Sequence, residues 1–105
     1  MINIAITERK HMIHVSCYGH SGIKGESLPC AGASTLFASL SVTVENRSDY
    51  VCESGYGFLS YPETPFNKAV TEMFRNGMTL LKDKFPDEFR FMEKNSVLSK
   101  DGNDV

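Results

Sequence analysis

An alternation of apolar and polar residues opens the chain and predicts two strands. Residues 2 to 7 place three isoleucines on one face and small or polar residues on the other, which is the period of a half-buried strand. Residues 12 to 18 repeat this alternation and lead directly to His20. The charged segment TERKH lies between the two runs and predicts a hairpin turn.

A helical period follows, from about residue 28 to residue 46. The apolar residues that recur at helical spacing are Ala33, Leu36, Phe37, Leu40 and Val44. Residues 49 to 54 and 57 to 61 are two short runs with strand-forming side chains on either side of Gly55. They predict a hairpin.

The second helix is predicted from Pro65 to about Lys84. Thr64 before a proline is typical of an N-cap followed by a first helical turn. The apolar residues predicted to share the buried face of this helix are Phe66, Ala69, Val70, Met73, Phe74, Gly77, Leu80 and Leu81. A Phe-Pro pair ends the helix, and the alternation that begins at Phe89 predicts a final strand.

The predicted order is β-β-α-β-β-α-β, which places the chain in the α+β class. We expect a two-layer sandwich, with a single sheet of about five strands, two helices on one face and the other face open to solvent or a partner. A length of 105 residues suits one core, so residues 1 to 94 are predicted to form a single domain. Residues 95 to 105 have low hydrophobicity and predict a flexible tail.

Charge and hydropathy exclude two broad classes of function. The chain has 13 acidic and 11 basic residues, and no run of Lys or Arg forms a stripe that would attract phosphates. Nucleic-acid binding is therefore not predicted as the main function. No segment approaches the ~18 apolar residues of a membrane span, and the first residues lack a signal-peptide pattern. The sequence predicts a cytoplasmic protein without a membrane partner.

Three cysteines, Cys17, Cys30 and Cys52, make an odd number without CxxC spacing. This argues against a disulfide framework and against a structural zinc site. Cys17 and Cys52 lie in apolar strand patterns and are interpreted as inert core or sheet residues. His11 and His14 are three apart on a strand and therefore on opposite faces, so we expect surface residues that cannot chelate one metal ion. Neither a metal nor a cofactor is predicted.

Cys30 has a context that favours chemistry. If Ser27 is the N-cap of the first helix, Cys30 is the third helical residue and lies beside the unpaired amides of the first turn. The positive end of a helix dipole stabilises a thiolate, which is the nucleophilic form of cysteine. Cys30 is therefore a candidate nucleophile.

His20 is the candidate partner of Cys30. It ends the second strand, and the glycines at 19, 22 and 25 allow the intervening chain to fold back toward the helix start. His20 would take the thiol proton and later protonate a leaving amine, while amides of the helix turn stabilise an oxyanion. The alternative is an incidental histidine beside an inert thiol.

The same glycine loop has a second interpretation, a phosphate-binding loop that leads into a helix. The segment GHSGIKG contains Lys24 and precedes the helix. It matches neither GxxxxGK[ST] nor GxGxxG, so the sequence favours the thiol chemistry.

The segment YGHSGIKGESLPCAGAS resembles the ribosomal-processing cysteine protease family, Prp, whose members carry a Gly-His-Ala strand end and a hydrophobic-Cys-Ala-Ala-x-Ser helix start. The resemblance implies a homodimeric cysteine endopeptidase that removes an N-terminal extension from a large-subunit ribosomal protein precursor. By position, Cys30 is the implied nucleophile and His20 the implied base. The implied substrate-binding or supporting residues are Gly19, Ser21, Gly22, Gly25, Ser27 and Ser34.

The sequence departs from the family pattern in its loop. The loop is shorter, Ser21 replaces an alanine and Ser27 stands where an aspartate is common. These departures motivate an alternative, a non-catalytic binding protein for a ribosomal protein or a ribosome assembly factor. A redox sensor that uses Cys30 alone is a third hypothesis.

Asn46 and Asp49 are not expected to complete a catalytic triad. Asn46 is sixteen residues after Cys30, which corresponds to about 24 Å along a helix axis. A two-residue dyad is therefore predicted.

Overall fold

Five strands and two helices make up the part of the chain that the computed structural model describes, residues 1 to 20 and 27 to 95. The elements are β1 (Ile2–Arg9), β2 (Met12–Gly19), α1 (Leu28–Thr43), β3 (Asp49–Glu53), β4 (Tyr56–Pro62), α2 (Pro65–Lys84) and β5 (Phe89–Asn95). This order confirms the predicted α+β sandwich. Residues 96 to 105, most of the predicted tail, lie outside the described residues, and β5 ends one residue beyond the predicted domain boundary.

The strands form one mixed sheet in the order β3-β4-β2-β1-β5. β5 pairs with β1 in parallel, and the three other pairs are antiparallel. In this register Ile4 lies opposite both Cys17 and Phe91. Because paired residues point to the same face of a sheet, these side chains share the face that carries the core.

The core lies between this face of the sheet and the two helices. Its buried apolar members are Ile2, Ile4, Ile6, Ile13, Val15, Ala33, Phe37, Leu40, Leu59, Tyr61, Phe74, Met78 and Phe89. The alternating isoleucines of β1 therefore have the burial that the sequence predicts. Neither α1 nor α2 is both long and apolar enough to cross a membrane.

The first hairpin is longer than predicted, and its turn is shorter. Thr7, Glu8 and Arg9 pair with β2, so most of the TERKH segment is strand. The turn consists of Lys10 and His11, whose φ angles of 52° and 65° lie in the left-handed region. Two successive left-handed residues match the twist of an antiparallel pair, which explains how two residues suffice for the turn.

α1 has the predicted stripe but ends earlier than predicted. Ala33, Phe37 and Leu40 are buried, whereas the helix ends at Thr43 rather than near residue 46. Val44 is extended and its N–H donates to the carbonyl of Leu40. The predicted stripe extends past the helix end because this residue still packs against the core.

α2 begins at Pro65 and ends at Lys84, as predicted, and its predicted face is partly confirmed, because Phe74 is buried and Val70 and Leu81 pack against the core. Phe66, Met73 and Leu80 are exposed. The buried residues of α2 are Asn67, Thr71, Phe74 and Met78. The apolar pattern missed Asn67 and Thr71 on this face because both are polar.

Buried hydrogen bonds explain why α2 turns polar residues inward. The Asn67 side-chain amide donates to the carbonyls of Glu45 and Pro62 at 3.0 and 2.9 Å, and its oxygen accepts from the Glu45 N–H at 2.8 Å. The hydroxyls of Thr71 and Tyr61 are 2.6 Å apart. A buried polar group costs little when its partners are supplied, so these contacts fix the rotation of α2 about its axis.

Glu8 lies near the end of β1, close to Glu63, which follows β4. Burial raises the pKa of the Glu8 carboxyl above its ordinary value, and the hydrogen bond and negative charge of Glu63 raise it further. Lys68 and Arg75 oppose this shift. Because folded Glu8 holds its proton more tightly than the unfolded chain does, its ionisation costs stability as the pH rises through the folded pKa.

We expect Glu8→Gln to raise the Tm at about pH 8 and to give a smaller gain near pH 4, because ionisation of Glu8 costs stability as the pH rises. Glutamine keeps a donor for Glu63 and carries no charge. Thermal unfolding followed by circular dichroism across this range measures the effect. Glu45→Gln, at an exposed position, is the matched control. A Tm of Glu8→Gln below that of the parent at pH 8 would contradict the assignment.

Candidate active site

His20 and Cys30 line the same pair of adjoining clefts at one end of the sheet. The described residues shared by the two clefts are His20, Cys30, Ser34, Glu53 and Gly55. Three separate parts of the chain contribute to this set, namely the end of β2, the start of α1 and the β3–β4 hairpin. The structure therefore brings the predicted pair to one site.

Backbone contacts hold the end of β2 in place at His20. Gly19 donates its N–H to the carbonyl of Gly55 at 2.9 Å. The amino group of Met1 donates to the carbonyl of His20 at 2.6 Å. His20 is exposed at its position after β2, so its imidazole can be reached from solvent.

The imidazole of His20 packs directly over Gly55. A Cβ atom built on Gly55 would lie 2.5 Å from Nε2 of His20, well inside van der Waals contact. Gly55 also has a φ of +78°, in the left-handed region that favours glycine. Glycine at this turn therefore meets two needs, the backbone conformation of the hairpin and the space for the histidine ring.

Cys30 is the third residue of α1, as predicted. Ser27 is the N-cap, and its Oγ accepts a hydrogen bond from the Cys30 N–H at 3.3 Å. Cys30 is half-buried and packs against the core. Its position in the first turn places it beside the amide groups and the positive end of the helix dipole, which stabilise negative charge.

The other predicted site residues have different outcomes. Ser34 is exposed one turn after Cys30 and lines both clefts. Gly19 lines the first cleft and Ser27 lines the second. The remaining predicted positions, Ser21, Gly22 and Gly25, lie outside the described residues.

Cys17 and Cys52 also line the first cleft, which the sequence analysis did not anticipate. In the sheet register, both of them lie opposite Gly57 of β4, one on each side. Cys17 is half-buried against the core, in agreement with the prediction, whereas Cys52 is exposed. Burial raises the pKa of the Cys17 thiol to about 11, and the nearby Cys30 and Cys52 add to the shift.

Gly57 leaves the space between the two cysteines to an aromatic ring. A Cβ atom at Gly57 would lie 2.7 Å from Cε2 of Phe37, so the ring rests on the bare backbone of β4. Phe37 itself lines the first cleft. A ring from α1 on a strand glycine thus forms an apolar part of the cleft wall.

The β3–β4 hairpin adds residues that no motif indicated. Glu53 lines both clefts, and its cross-strand partner Tyr56 lines the first. The pairing of β4 with β2 places the hairpin beside the end of β2, where His20 lies. This pairing joins segments that are far apart in sequence. The predicted hairpin around Gly55 was the only sequence signal for this wall.

The two other histidines lie away from the clefts. His11 is exposed in the first turn, with Nδ1 3.9 Å from a carboxylate oxygen of Glu63. His14 is half-buried rather than a simple surface residue, because its Nδ1 lies 2.5 Å from Oγ of Ser60 and its ring stacks with Phe58. Within residues 1 to 20 and 27 to 95, no group of three His, Cys, Asp or Glu residues could hold a metal ion.

Asn46 and Asp49 do not line either cleft. Asn46 lies beyond the end of α1 with a φ of 57°, and Asp49 begins β3. This agrees with the helix-length argument that excluded them from a catalytic triad.

No family model and no curated protein matches the chain in sequence. Solved structures do match it in fold. The ribosomal processing protease Prp from Staphylococcus aureus, in complex with a covalently linked product peptide, has a TM-score of 0.76 and 18% identity, with 90% of this chain and all of that chain covered. Its complex with a substrate peptide gives a TM-score of 0.74 and 17% identity at the same coverage.

A Streptococcus mutans protein, SMU.848, is similar as well. Its TM-score is 0.68 at 22% identity, and the alignment covers 91% of this chain and 96% of that one. These matches show that the chain has the fold of the Prp structures over nearly its whole described length, as the sequence resemblance implied. At such identities they establish the fold and not the chemistry of individual residues.

Replacement of Gly55 tests the contact between the hairpin and His20. We expect Gly55→Ala to move the His20 ring and shift its Hε1 resonance in NMR spectra, because the new methyl group would overlap Nε2. The left-handed backbone adds a cost of about 1 kcal/mol to the free energy of unfolding.

Asn46→Ala is the matched control for Gly55→Ala, since Asn46 also has a positive φ but lies away from the clefts. It should lower stability by a similar amount and leave the His20 resonance unchanged. An unchanged His20 resonance in folded Gly55→Ala would show that the ring does not pack over the hairpin.

Burial of Cys17 predicts slow alkylation. At about pH 7.5, iodoacetamide should modify Cys17 in the native protein about tenfold or more slowly than in protein unfolded in urea, because the thiolate is the reactive form. Mass spectrometry of the peptide that contains Cys17 measures both rates. Equal native and unfolded rates would contradict its burial and its raised pKa.

Proposed function

We propose that the protein is a cysteine endopeptidase that removes an N-terminal extension from a large-subunit ribosomal protein precursor. Cys30 is the nucleophile and His20 the general base. The observation that carries the proposal is that His20 and Cys30, ten residues apart in sequence, line the same pair of clefts. The fold shared with a ribosomal processing protease solved with a covalently linked product peptide supports the same activity.

The reaction follows from the chemistry of the two side chains. His20 takes the proton of the Cys30 thiol, and the sulfur attacks the carbonyl carbon of the cleaved peptide bond. The positive end of the α1 dipole stabilises the negative oxygen of the tetrahedral intermediate. The intermediate collapses as the C–N bond breaks and His20 returns the proton to the leaving amine. Water then hydrolyses the thioester and regenerates the thiol.

The remaining predicted residues support this reaction. Ser34, one turn beyond Cys30, offers a hydroxyl group on the cleft wall. Ser27 fixes the first turn through its bond to the Cys30 N–H. Gly19 lines the cleft beside the histidine, and the loop residues Ser21, Gly22 and Gly25 contribute to substrate binding.

A cytoplasmic homodimer is part of the same proposal. Met73 and Leu80 on α2 are 73% and 69% exposed, and Met92 on the open sheet face is 40% exposed. Exposed apolar side chains of this size supply area for contact between two copies.

Cleavage of the extended precursor from the same genome tests the proposal. We expect the purified parent to cut the precursor once, and Cys30→Ala and His20→Ala to lower kcat/KM by about a hundredfold or more, since general acid–base catalysis contributes at least that factor. Mass spectrometry of the products identifies the cleaved bond. Circular dichroism verifies that each variant folds.

His11→Ala is the matched control, because His11 is exposed and lies away from the clefts. It should cleave at the parent rate. Full turnover by Cys30→Ser would eliminate the proposed nucleophile. A parent that binds the precursor and leaves it intact would favour the non-catalytic binding protein.

A further inference from the structure

We propose that Cys30 and Cys52 form an intramolecular disulfide when the protein meets hydrogen peroxide, and that this bond reversibly blocks the active site. The inference rests on the proposed peptidase function and adds a modification site that would regulate it. It gives a chemical role to Cys52, which the sequence pattern indicated as an inert strand residue.

The side chain of Cys52 lies on the face of the sheet that α1 covers. The ring of Tyr50, two residues earlier in β3, stacks with the ring of Phe37 on α1 at a centroid distance of 6.4 Å. Because side chains alternate along a strand, Cys52 points to the same face as Tyr50. In agreement with this direction, Cys52 and Cys30 line the same cleft.

Cys17 shows that the three cysteines of the chain are near one another. In the sheet register it lies two strands away from Cys52, with the bare backbone of Gly57 between them. Both Cys30 and Cys52 act electrostatically on the Cys17 thiol and raise its pKa. The three side chains, all in the thiol form, therefore make one cluster at the wall of the cleft.

Cys30 is the thiol that peroxide would oxidise first. It lies in the first turn of α1, whose dipole favours the thiolate, and it is only half-buried, so a molecule as small as peroxide can reach it. The thiolate attacks one peroxide oxygen, the O–O bond breaks and hydroxide leaves, which gives a sulfenic acid. A second thiolate then attacks the sulfenic sulfur. The S–O bond breaks, the departing hydroxide takes up a proton to become water, and the disulfide forms.

Cys52 is better suited than Cys17 to supply the second thiolate. Burial raises the pKa of the Cys17 thiol to about 11, so little of it is ionised at neutral pH. Cys17 also lies on β2, which is held on both sides by β1 and β4. Cys52, in contrast, is exposed to solvent.

The strand that carries Cys52 is the one most able to move. All five residues of β3 are exposed, and β3 lies at the edge of the described sheet, where it pairs with β4 alone. A disulfide needs Cα atoms within about 7 Å of each other. An edge strand with few buried contacts opens locally at low cost, so β3 can make the approach that the bond requires.

The disulfide would both stop proteolysis and protect the enzyme. The sulfur of Cys30 is not a nucleophile while it is bonded to Cys52. A sulfenic acid left without a second thiol is oxidised further to sulfinic and sulfonic acids, which thiol reductants do not reverse, whereas they do reverse a disulfide.

Peptide mapping tests the disulfide independently of proteolysis. The reduced parent is treated with a small excess of hydrogen peroxide, capped with N-ethylmaleimide and digested with trypsin without reduction. Trypsin cuts after Lys24, Arg47 and Lys68, so each cysteine lies in a separate peptide. We expect mass spectrometry to find the Cys30 peptide joined to the Cys52 peptide, and non-reducing electrophoresis to show this species at the mass of one chain.

Two variants separate the candidate partners of Cys30. Cys17→Ser, with its fold verified by circular dichroism, is the matched control and should still form the disulfide. Cys52→Ser should accumulate a sulfenic acid at Cys30, which dimedone traps. After peroxide treatment, dithiothreitol should return the parent to within about twofold of its initial kcat/KM and leave Cys52→Ser about tenfold or more below its own initial value.

Three results would overturn the proposal. They are a bond between Cys30 and Cys17, a bond between two copies of the chain, and further oxidation of Cys30 in the parent without any disulfide. The peptidase function fails separately. If the parent cleaves the precursor but forms no bond between Cys30 and Cys52, the function stands and the switch is wrong. If the parent cleaves nothing, the peptide map still supports or rejects the modification site.

Discussion

The pairing of β2 with β4 is the constraint on which the candidate active site depends. Its register sets Cys17 opposite Gly57, and the bond from the Gly19 N–H to the Gly55 carbonyl brings the end of β2 against the hairpin turn. A slip of one residue would turn the side chains of β2 to the opposite face. The buried isoleucine and valine of this strand oppose that slip, so burial of the core also fixes the approach of His20 to the hairpin.

The clefts exist because side chains are missing at two positions of the hairpin. Gly55 leaves room for the His20 imidazole, and Gly57 leaves room for the Phe37 ring. Both rings rest on backbone, so neither can move closer to the sheet. Cys30 lines the same clefts from α1, whose first turn is held by its N-cap. The site thus lies where a strand end, a helix start and a hairpin meet, and such supporting elements help to place reacting groups accurately.

The buried polar side chains of α2 form hydrogen bonds with other parts of the fold. Asn67 joins the segment after α1 to the end of β4 through three hydrogen bonds, and Thr71 meets Tyr61 in the core. These bonds oblige α2 to expose apolar side chains such as Met73. Hydrophobic period alone predicts only part of the buried face in such a case, because a satisfied buried amide is compatible with the core while some apolar neighbours remain at the surface.

The sequence by itself determined the order of elements, the isoleucine and α1 stripes and the N-caps Ser27 and Thr64, and it indicated His20 and Cys30 as candidates for one site. These depend on neighbouring residues, whose periods and capping groups act locally. Only the tertiary structure decided that Cys17, Cys52 and Glu53 line the same clefts, and that α2 buries Asn67 and Thr71. The reason is that strand register and long-range hydrogen bonds join segments that no local pattern connects.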